Sequence, residues 1–479
     1  MTGRLERWAD PAFYVVAVAY GLAAWWPTRA APYYWDSASF VVDAARDLTA
    51  THFHPLVASH SDFAHPPLFV ALVAVAWAVF GDGRIVSHAL VLPALPIAMI
   101  ATYALGKRVA NRVVGASAAL LFGGMAFVLV EVGQVYMDLP IGAAITCGVL
   151  AWTTGRRAAA SALFCAAAAM KLPYPLVAPG ALAVVLAFDR DTRRDVRSWV
   201  ALGAPFVLVA AWLAYHRLVT GWTLMRPGRP VYAPRDPSAF VAALGAAFDL
   251  LLLDGWRWLL VLAAACGLVV SRYVLRRPTP LRAIAPFVAI VAAGLLFFAL
   301  VGELALRYAI FLFPPYVLAC VYLASTAVPR AAWLLPGVAG LFAAFITTWH
   351  PQAAPTTSYV FRPDENLAYL DTIAIGERSA RWLEQEHADA EIFGAGPEQY
   401  ELTEPHQGYV TVPLRFAECA QFRRHPDVEQ LVIMHPYHQG QPLCRRLVEA
   451  TGARALKHFE SNGKWLEVYR VPPGPEGGS

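Results

Sequence analysis

A few acids and bases punctuate this otherwise apolar chain where they could do group-transfer chemistry. Asp36 follows the aromatic run Tyr33-Tyr34-Trp35, and His65 precedes Pro66-Pro67-Leu68. Asp138 stands in Met137-Asp138-Leu139-Pro140 and Lys171 in Met170-Lys171-Leu172-Pro173, while Glu303 and Arg307 bracket a turn four residues apart. A carboxylate at a water–lipid boundary can accept a proton from a hydroxyl or amine. Lys, Arg and His can hold a phosphate as it leaves. Asp36 and Asp138 are therefore the candidate catalytic acids, with His65, Lys171, Arg307 and Glu303 as candidate substrate contacts. Tyr34 and Asp62, from the same loop as Asp36 and His65, join that second group. Each residue also has a plainer role. Asp36 and Asp138 can cap helices, Lys171 can snorkel to the interface, and Glu303 with Arg307 can form an ion pair within one helix.

The elements that must position these residues are set by composition. Of 479 residues 58% are hydrophobic and only 15% charged, with a mean hydropathy of +0.47. A soluble chain carries about a quarter of its residues as charges, so one soluble core, a disordered chain or a coiled coil is excluded, and a polytopic membrane protein is expected. The net charge of +4 is too small and too dispersed for a basic nucleic-acid binder. Residues 1–349 hold 26 basic against 16 acidic side chains, and residues 350–479 hold 12 against 18. That break, after Trp349-His350-Pro351, predicts a membrane domain over 1–349 and a soluble acidic domain over 350–479.

Apolar runs predict about eleven transmembrane helices, with a twelfth run, Pro66–Phe80, lying along the interface. If 66–80 does not cross, all six Arg/Lys clusters fall on one face, the cytoplasm. The N-terminus is then inside, and the 350–479 domain is outside the cytoplasmic membrane. The first loop, 27–84, would carry two amphipathic surface helices at about 37–50 and 66–80. This arrangement gathers Asp36, His65, Asp138, Lys171, Glu303 and Arg307 at one membrane face, the inventory for displacing a lipid phosphate from a donor.

At these residues the sequence resembles the bacterial members of the protein O-mannosyltransferase and aminoarabinose-transferase superfamily, polytopic glycosyltransferases with the GT-C fold. The resemblance covers about residues 8–320. Asp36 matches the acid that opens the family's first outer loop, and His65-Pro66-Pro67-Leu68 its basic-Pro-Pro-Leu motif. Phe80-Gly81 with Arg84, Asp138-Leu139-Pro140, Lys171, and Arg307-Tyr308 with Pro314-Pro315 follow in the family's order. The resemblance implies an inverting glycosyltransferase that takes a sugar from a polyprenyl-phosphate donor outside the cytoplasmic membrane. The acceptor would be an envelope lipid, glycan or protein. Asp36 would be the general base, with His65, Lys171 and Arg307 on the lipid phosphate, and Asp138 orienting the acceptor or a basic neighbour. Many relatives have Asp-Glu where this chain has Asp36-Ser37 and often Lys where it has His65, and the aminoarabinose enzymes have a basic residue where it has Ser39. These departures argue against aminoarabinose transfer to lipid A and leave the donor sugar open.

Outside the spans, 390–393, 431–434, 455–460 and 466–471 read as strands of a small α/β domain, and Pro413–Arg424 as a helix. Four cysteines, Cys147, Cys165, Cys266 and Cys320, lie in apolar runs. Cys419 and Cys444 are the only two outside, in an oxidising compartment by this topology, and a disulfide between them is expected. No cysteine spacing suggests zinc, no cofactor motif is present, and a divalent cation is neither required nor excluded. A transporter or flippase of a lipid-linked substrate is the alternative from another class, and a structural component with a sensory outer domain is a third.

Overall fold

Gly and Pro cut most of the apolar runs into helices shorter than a bilayer. The computed structural model describes residues 2–58, 62, 64–224, 236–277, 281–302, 304–328, 331–348, 360–361, 366–396, 398–425, 427–435 and 441–473. The chain divides into two compact units.

The first unit comprises Met1–Arg29, Ala44–Gly81 and Val86–Asn366 and is helical apart from a short parallel pairing of β1 (Leu304–Ala305) with β2 (Val360–Phe361). Among the described residues three helices are long and apolar enough to cross a membrane: Arg84–Val109, Val196–Thr220 and Leu306–Ala327. Two bent pairs raise the number to five if each is one span. Arg112–Gly123 and Ala126–Val132 meet at 69°, and Pro237–Leu253 and Trp258–Val274 at 80°. This corrects the expected eleven spans. Hydropathy alone does not see that the 113–130 run breaks at Gly124-Met125, or the 249–271 run after Asp254-Gly255. It also overstates pieces such as Asp138–Thr153, a 16-residue helix. At 1.5 Å per residue such a helix reaches about 24 Å, against ~30 Å of hydrocarbon. The chain is a multi-pass membrane protein with fewer long helices than its apolar runs suggest.

Helix contacts in this unit depend on small residues. A Cβ on Gly115 would lie 2.3 Å from the Tyr103 carbonyl oxygen, and one on Gly106 would lie 2.5 Å from Gly115 Cα. Glycine at both positions lets the two backbones touch, the usual device where lipid removes the hydrophobic drive between helices. Part of the basic cluster at 107–112 has an internal use. Asp10 of the Thr2–Trp25 helix accepts from Arg112 Nε at 2.8 Å and from Lys107, tying three helices together.

The second unit joins Ala30–Asp43 and Asp82–Ile85 to Leu367–Ser479. Its sheet has the order β4-β3-β5-β7-β6, formed by β3 (Glu391–Gly394), β4 (Arg415–Glu418), β5 (Gln430–Met434), β6 (Arg454–Ser461) and β7 (Lys464–Arg470). β4, β3 and β5 are parallel, with Ile392 opposite both Phe416 and Leu431. β6 and β7 form an antiparallel hairpin whose turn, Asn462-Gly463, has φ of 47° and 77°. Two positive φ values are what a tight two-residue hairpin needs, and Asn-Gly supplies them. The expected helix over 413–424 is instead β4 and the short turn Cys419–Gln421. Pairing with the β3 edge overrides the local reading. Phe393, Val432, Met434 and Val471 pack around Cys419 and Cys444, which form a disulfide.

Candidate functional site

Three of the residues singled out by type and spacing converge in the first unit. Asp138 opens its helix with only 2% of its surface exposed. Its carboxylate accepts from Lys171 Nζ, 3.0 Å from Oδ1 and 3.4 Å from Oδ2, and from the Tyr174 hydroxyl. Lys171 lies in the turn after the Arg157–Ala168 helix, so Asp138 and Lys171 lock two helix ends together. Arg307 is buried in the 3-10 stretch Leu306–Leu312, within electrostatic reach of Asp138. Its guanidinium lies 4.7 Å from the Tyr136 ring centre and donates to the Tyr308 hydroxyl at 3.4 Å. The Lys171 ammonium sits 4.1 Å from the Tyr308 ring centre, a cation–π distance. Tyr174 stacks on Tyr308 and Phe311, at 5.9 and 5.8 Å.

Glu303, a candidate substrate contact, lies outside the described residues. The backbone after it is a strand and a 3-10 stretch.

His65 is half-buried at the end of a segment held from two sides. Downstream, the Leu68 N–H donates to the Ala169 carbonyl at 3.0 Å, joining the Leu68–Phe80 helix to the turn that carries Lys171. From the other side, the Val196–Thr220 helix grips it. Trp212 Nε1 donates to the Ala64 carbonyl at 3.0 Å, and the Tyr215 hydroxyl accepts from the Leu56 N–H at 3.3 Å. His216 Nε2 lies 2.9 and 3.1 Å from the Asp62 oxygens, and Nδ1 lies 2.9 Å from the Trp222 carbonyl oxygen. A carbonyl only accepts, so Nδ1 carries a proton. The same helix packs Val209, Trp212 and Leu213 against Ala168 and Leu172, and so reaches both the His65 segment and the Lys171 turn.

Asp36 and Tyr34 belong to the second unit. Tyr34 is buried, with its ring centre 5.7 Å from that of Tyr369. Asp36 sits before the π-helical stretch Ser37–Val42 and makes no side-chain cap hydrogen bond, so capping does not account for it. Elsewhere in this unit Glu398 is buried and pairs with His435. Burial, with the charge of Glu398 adding to it, pushes the Glu401 carboxyl up to about 8.

Sequence reading passed over Tyr174, Glu131 and His216. Glu131 is fully buried and within electrostatic reach of Tyr174. An acid at the edge of an apolar run was the available signal for it. Nothing local marked His216, whose partner is 154 residues away. Among the described residues no group of three or more His, Cys, Asp and Glu could hold a metal ion.

Sequence comparison finds no matching family model and no matching curated protein. Structural comparison does find relatives. The crystal structure of ArnT from Cupriavidus metallidurans bound to undecaprenyl phosphate matches with a TM-score of 0.57 and 15% identity, over 97% of this chain and 99% of that one. The chain has the GT-C fold. Weaker matches are the same ArnT in the apo state, with a TM-score of 0.48, 13% identity and coverage of 98% and 100%. The apo oligosaccharyltransferase of Archaeoglobus fulgidus also has a TM-score of 0.48, with 12% identity over 90% of this chain and 70% of that one. At such identities the GT-C likeness speaks for architecture alone. It extends over both units and includes the C-terminal α/β region.

Proposed function

We propose that this chain is an inverting glycosyltransferase at the outer face of the bacterial cytoplasmic membrane. It moves a sugar from a polyprenyl-phosphate donor to an envelope lipid, glycan or protein acceptor. The observation that carries the reading is the pair of buried cations, Lys171 and Arg307, gathered at Asp138 in a GT-C chain. Buried cations in a membrane protein are costly and mark functional sites. A phosphate monoester at the end of a lipid is an anion suited to them, and undecaprenyl phosphate is what the fold relative carries in its crystal structure.

Lys171, Arg307 and His65 hold the phosphate and stabilise the charge that grows on it as the C1–oxygen bond breaks. Asp138 accepts from Lys171 and Tyr174, which aims the ammonium and makes the carboxylate a poor base. Asp36, which opens the first outer loop, takes the acceptor proton. The acceptor atom bonds to C1 from the opposite face, polyprenyl phosphate leaves with the electron pair, and the anomeric centre inverts. Asp62 supports the loop through His216, and Tyr34 supports the Asp36 turn.

The test uses purified full-length protein in nanodiscs. Undecaprenyl phosphate should bind, and Lys171→Ala should weaken it by about tenfold or more, the order of one lost charge-assisted contact. With a panel of polyprenyl-phosphate sugars and envelope extract as acceptor source, Asp36→Asn should cut single-turnover transfer by roughly 10²–10⁴. His65→Lys should keep binding or improve it. Full transfer by Asp36→Asn would move the base role elsewhere. Translocation of intact lipid without sugar cleavage would replace the transferase with a flippase.

A further inference from the structure

We infer that Gln407, in the C-terminal region of the chain, is a positioning residue for Asp36. This rests on Asp36 as the base and adds what holds it. The two residues are 371 positions apart, yet both belong to the second unit. Gln407 brackets the Asp36 turn from both ends. Its backbone carbonyl accepts from the Tyr33 N–H at 3.0 Å, and its side-chain Nε2 donates to the Ala38 carbonyl at 3.1 Å. Asp36 lies between those two anchors.

Three physical features say that this turn must be held. Trp35, next to Asp36, has φ of 52°, a left-handed conformation that a bulky residue adopts only under compensation. The helix that follows is a π-turn over Ser37–Val42, a geometry that is uncommon and concentrated at functional sites. Gln407 itself is fully buried, and its Oε1 has no partner among the described residues. A buried polar atom left unpaired is unfavourable. The amide is retained there for its other end, the N–H that fixes Ala38. Gln407 also contacts His406 Nε2 at 3.3 Å, and His406 Nε2 lies 3.9 Å from Asp43 at the end of the same π-turn. The unit made largely of C-terminal sequence thus sets the backbone from which Asp36 projects. On this inference that region is part of the catalytic apparatus.

The experiment compares Gln407→Ala and Gln407→Glu with the unmodified full-length protein in nanodiscs. The second variant keeps the size and the backbone carbonyl but turns the Nε2 donor into an acceptor facing the Ala38 oxygen. Hydrogen exchange across residues 30–43 should rise in both variants while β3 and β5 stay protected, which separates loss of the clamp from loss of the fold. Single-turnover transfer should fall by about 10²-fold, the order of a ~1 Å misplacement, with the undecaprenyl phosphate Kd unchanged. In an Asp36→Asn background Gln407→Ala should cost nothing further, because both act through one carboxylate. Unchanged exchange at 30–43, an unchanged transfer rate, or additive losses in the double variant would each overturn the inference. Failure of the base reading shows separately, as full transfer by Asp36→Asn alone.

Discussion

Lys171 and Asp138, 33 residues apart, face each other at 3.0 Å with both side chains buried. A buried ion pair is weak evidence of stabilisation, since taking two charges out of water costs about what their attraction returns. Breaking it is different, because the survivor loses its directly bonded counter-charge in a low-dielectric site. The pair therefore makes structural and functional effects at Lys171 hard to separate by one substitution, and calls for a paired test.

Lys171→Met should destabilise the protein by about 3–5 kcal/mol, the usual cost of orphaning a buried charge. Lys171→Met with Asp138→Asn should recover most of that loss but not undecaprenyl phosphate binding. Thermal unfolding followed by size exclusion in detergent, beside a binding titration, checks both. Recovery of binding in the double variant would make Lys171 purely structural.

His216→Gln removes the ring that links the Trp222 carbonyl to Asp62. Hydrogen exchange across 51–58 should speed up, and undecaprenyl phosphate should bind about tenfold more weakly, as for one charge-assisted hydrogen bond. In a His65→Ala background the second effect should vanish. A loss of equal size in both backgrounds would mean that His216 does not act through His65.

Glu401 gives the second unit a pH dependence of definite sign. Its carboxyl ordinarily titrates near 4.5, and burial with Glu398 nearby raises it to about 8. Between those values the folded unit holds a proton that the unfolded chain has lost. The stabilisation is complete below about 4.5 and is lost as pH rises through about 8, at up to roughly 1.4 kcal/mol per unit. Pulse proteolysis of the 367–473 region in the full-length protein should follow that slope, and Glu401→Gln should flatten it. An unchanged slope in the variant would assign the dependence to other groups.

Cys419 and Cys444 close a loop with a sequence separation of 25. Loop-closure entropy puts the stabilisation at about 3.5 kcal/mol. Non-reducing mass spectrometry should yield the linked peptide, and Cys444→Ser should make the region proteolytically labile without changing undecaprenyl phosphate affinity. Two alkylatable thiols on freshly purified protein would contradict the bond.

The amino-acid sequence by itself determined that the chain lives in a membrane, because excess apolar surface has no other stable solution. It also marked strands at 390–393, 431–434, 455–460 and 466–471, whose short apolar runs and Asn-Gly turn are local signals. It picked out Asp138, Lys171 and Arg307 because an ionisable residue in an apolar setting is costly wherever it folds. Tertiary structure decided the rest. The number of long helices depended on bends at Gly124 and Gly255, where backbone geometry departs while hydropathy stays high. Pro413–Arg424 became a strand because the β3 edge offered hydrogen bonds that outweigh local helix preference. The contacts made by candidate residues within each unit, Tyr174 on Asp138, His216 on Asp62 and Gln407 around the Asp36 turn, join partners 36, 154 and 371 positions apart. Hydrogen bonds reach about 3 Å whatever the sequence distance, so only the folded chain reveals which side chains hold the chemistry in place.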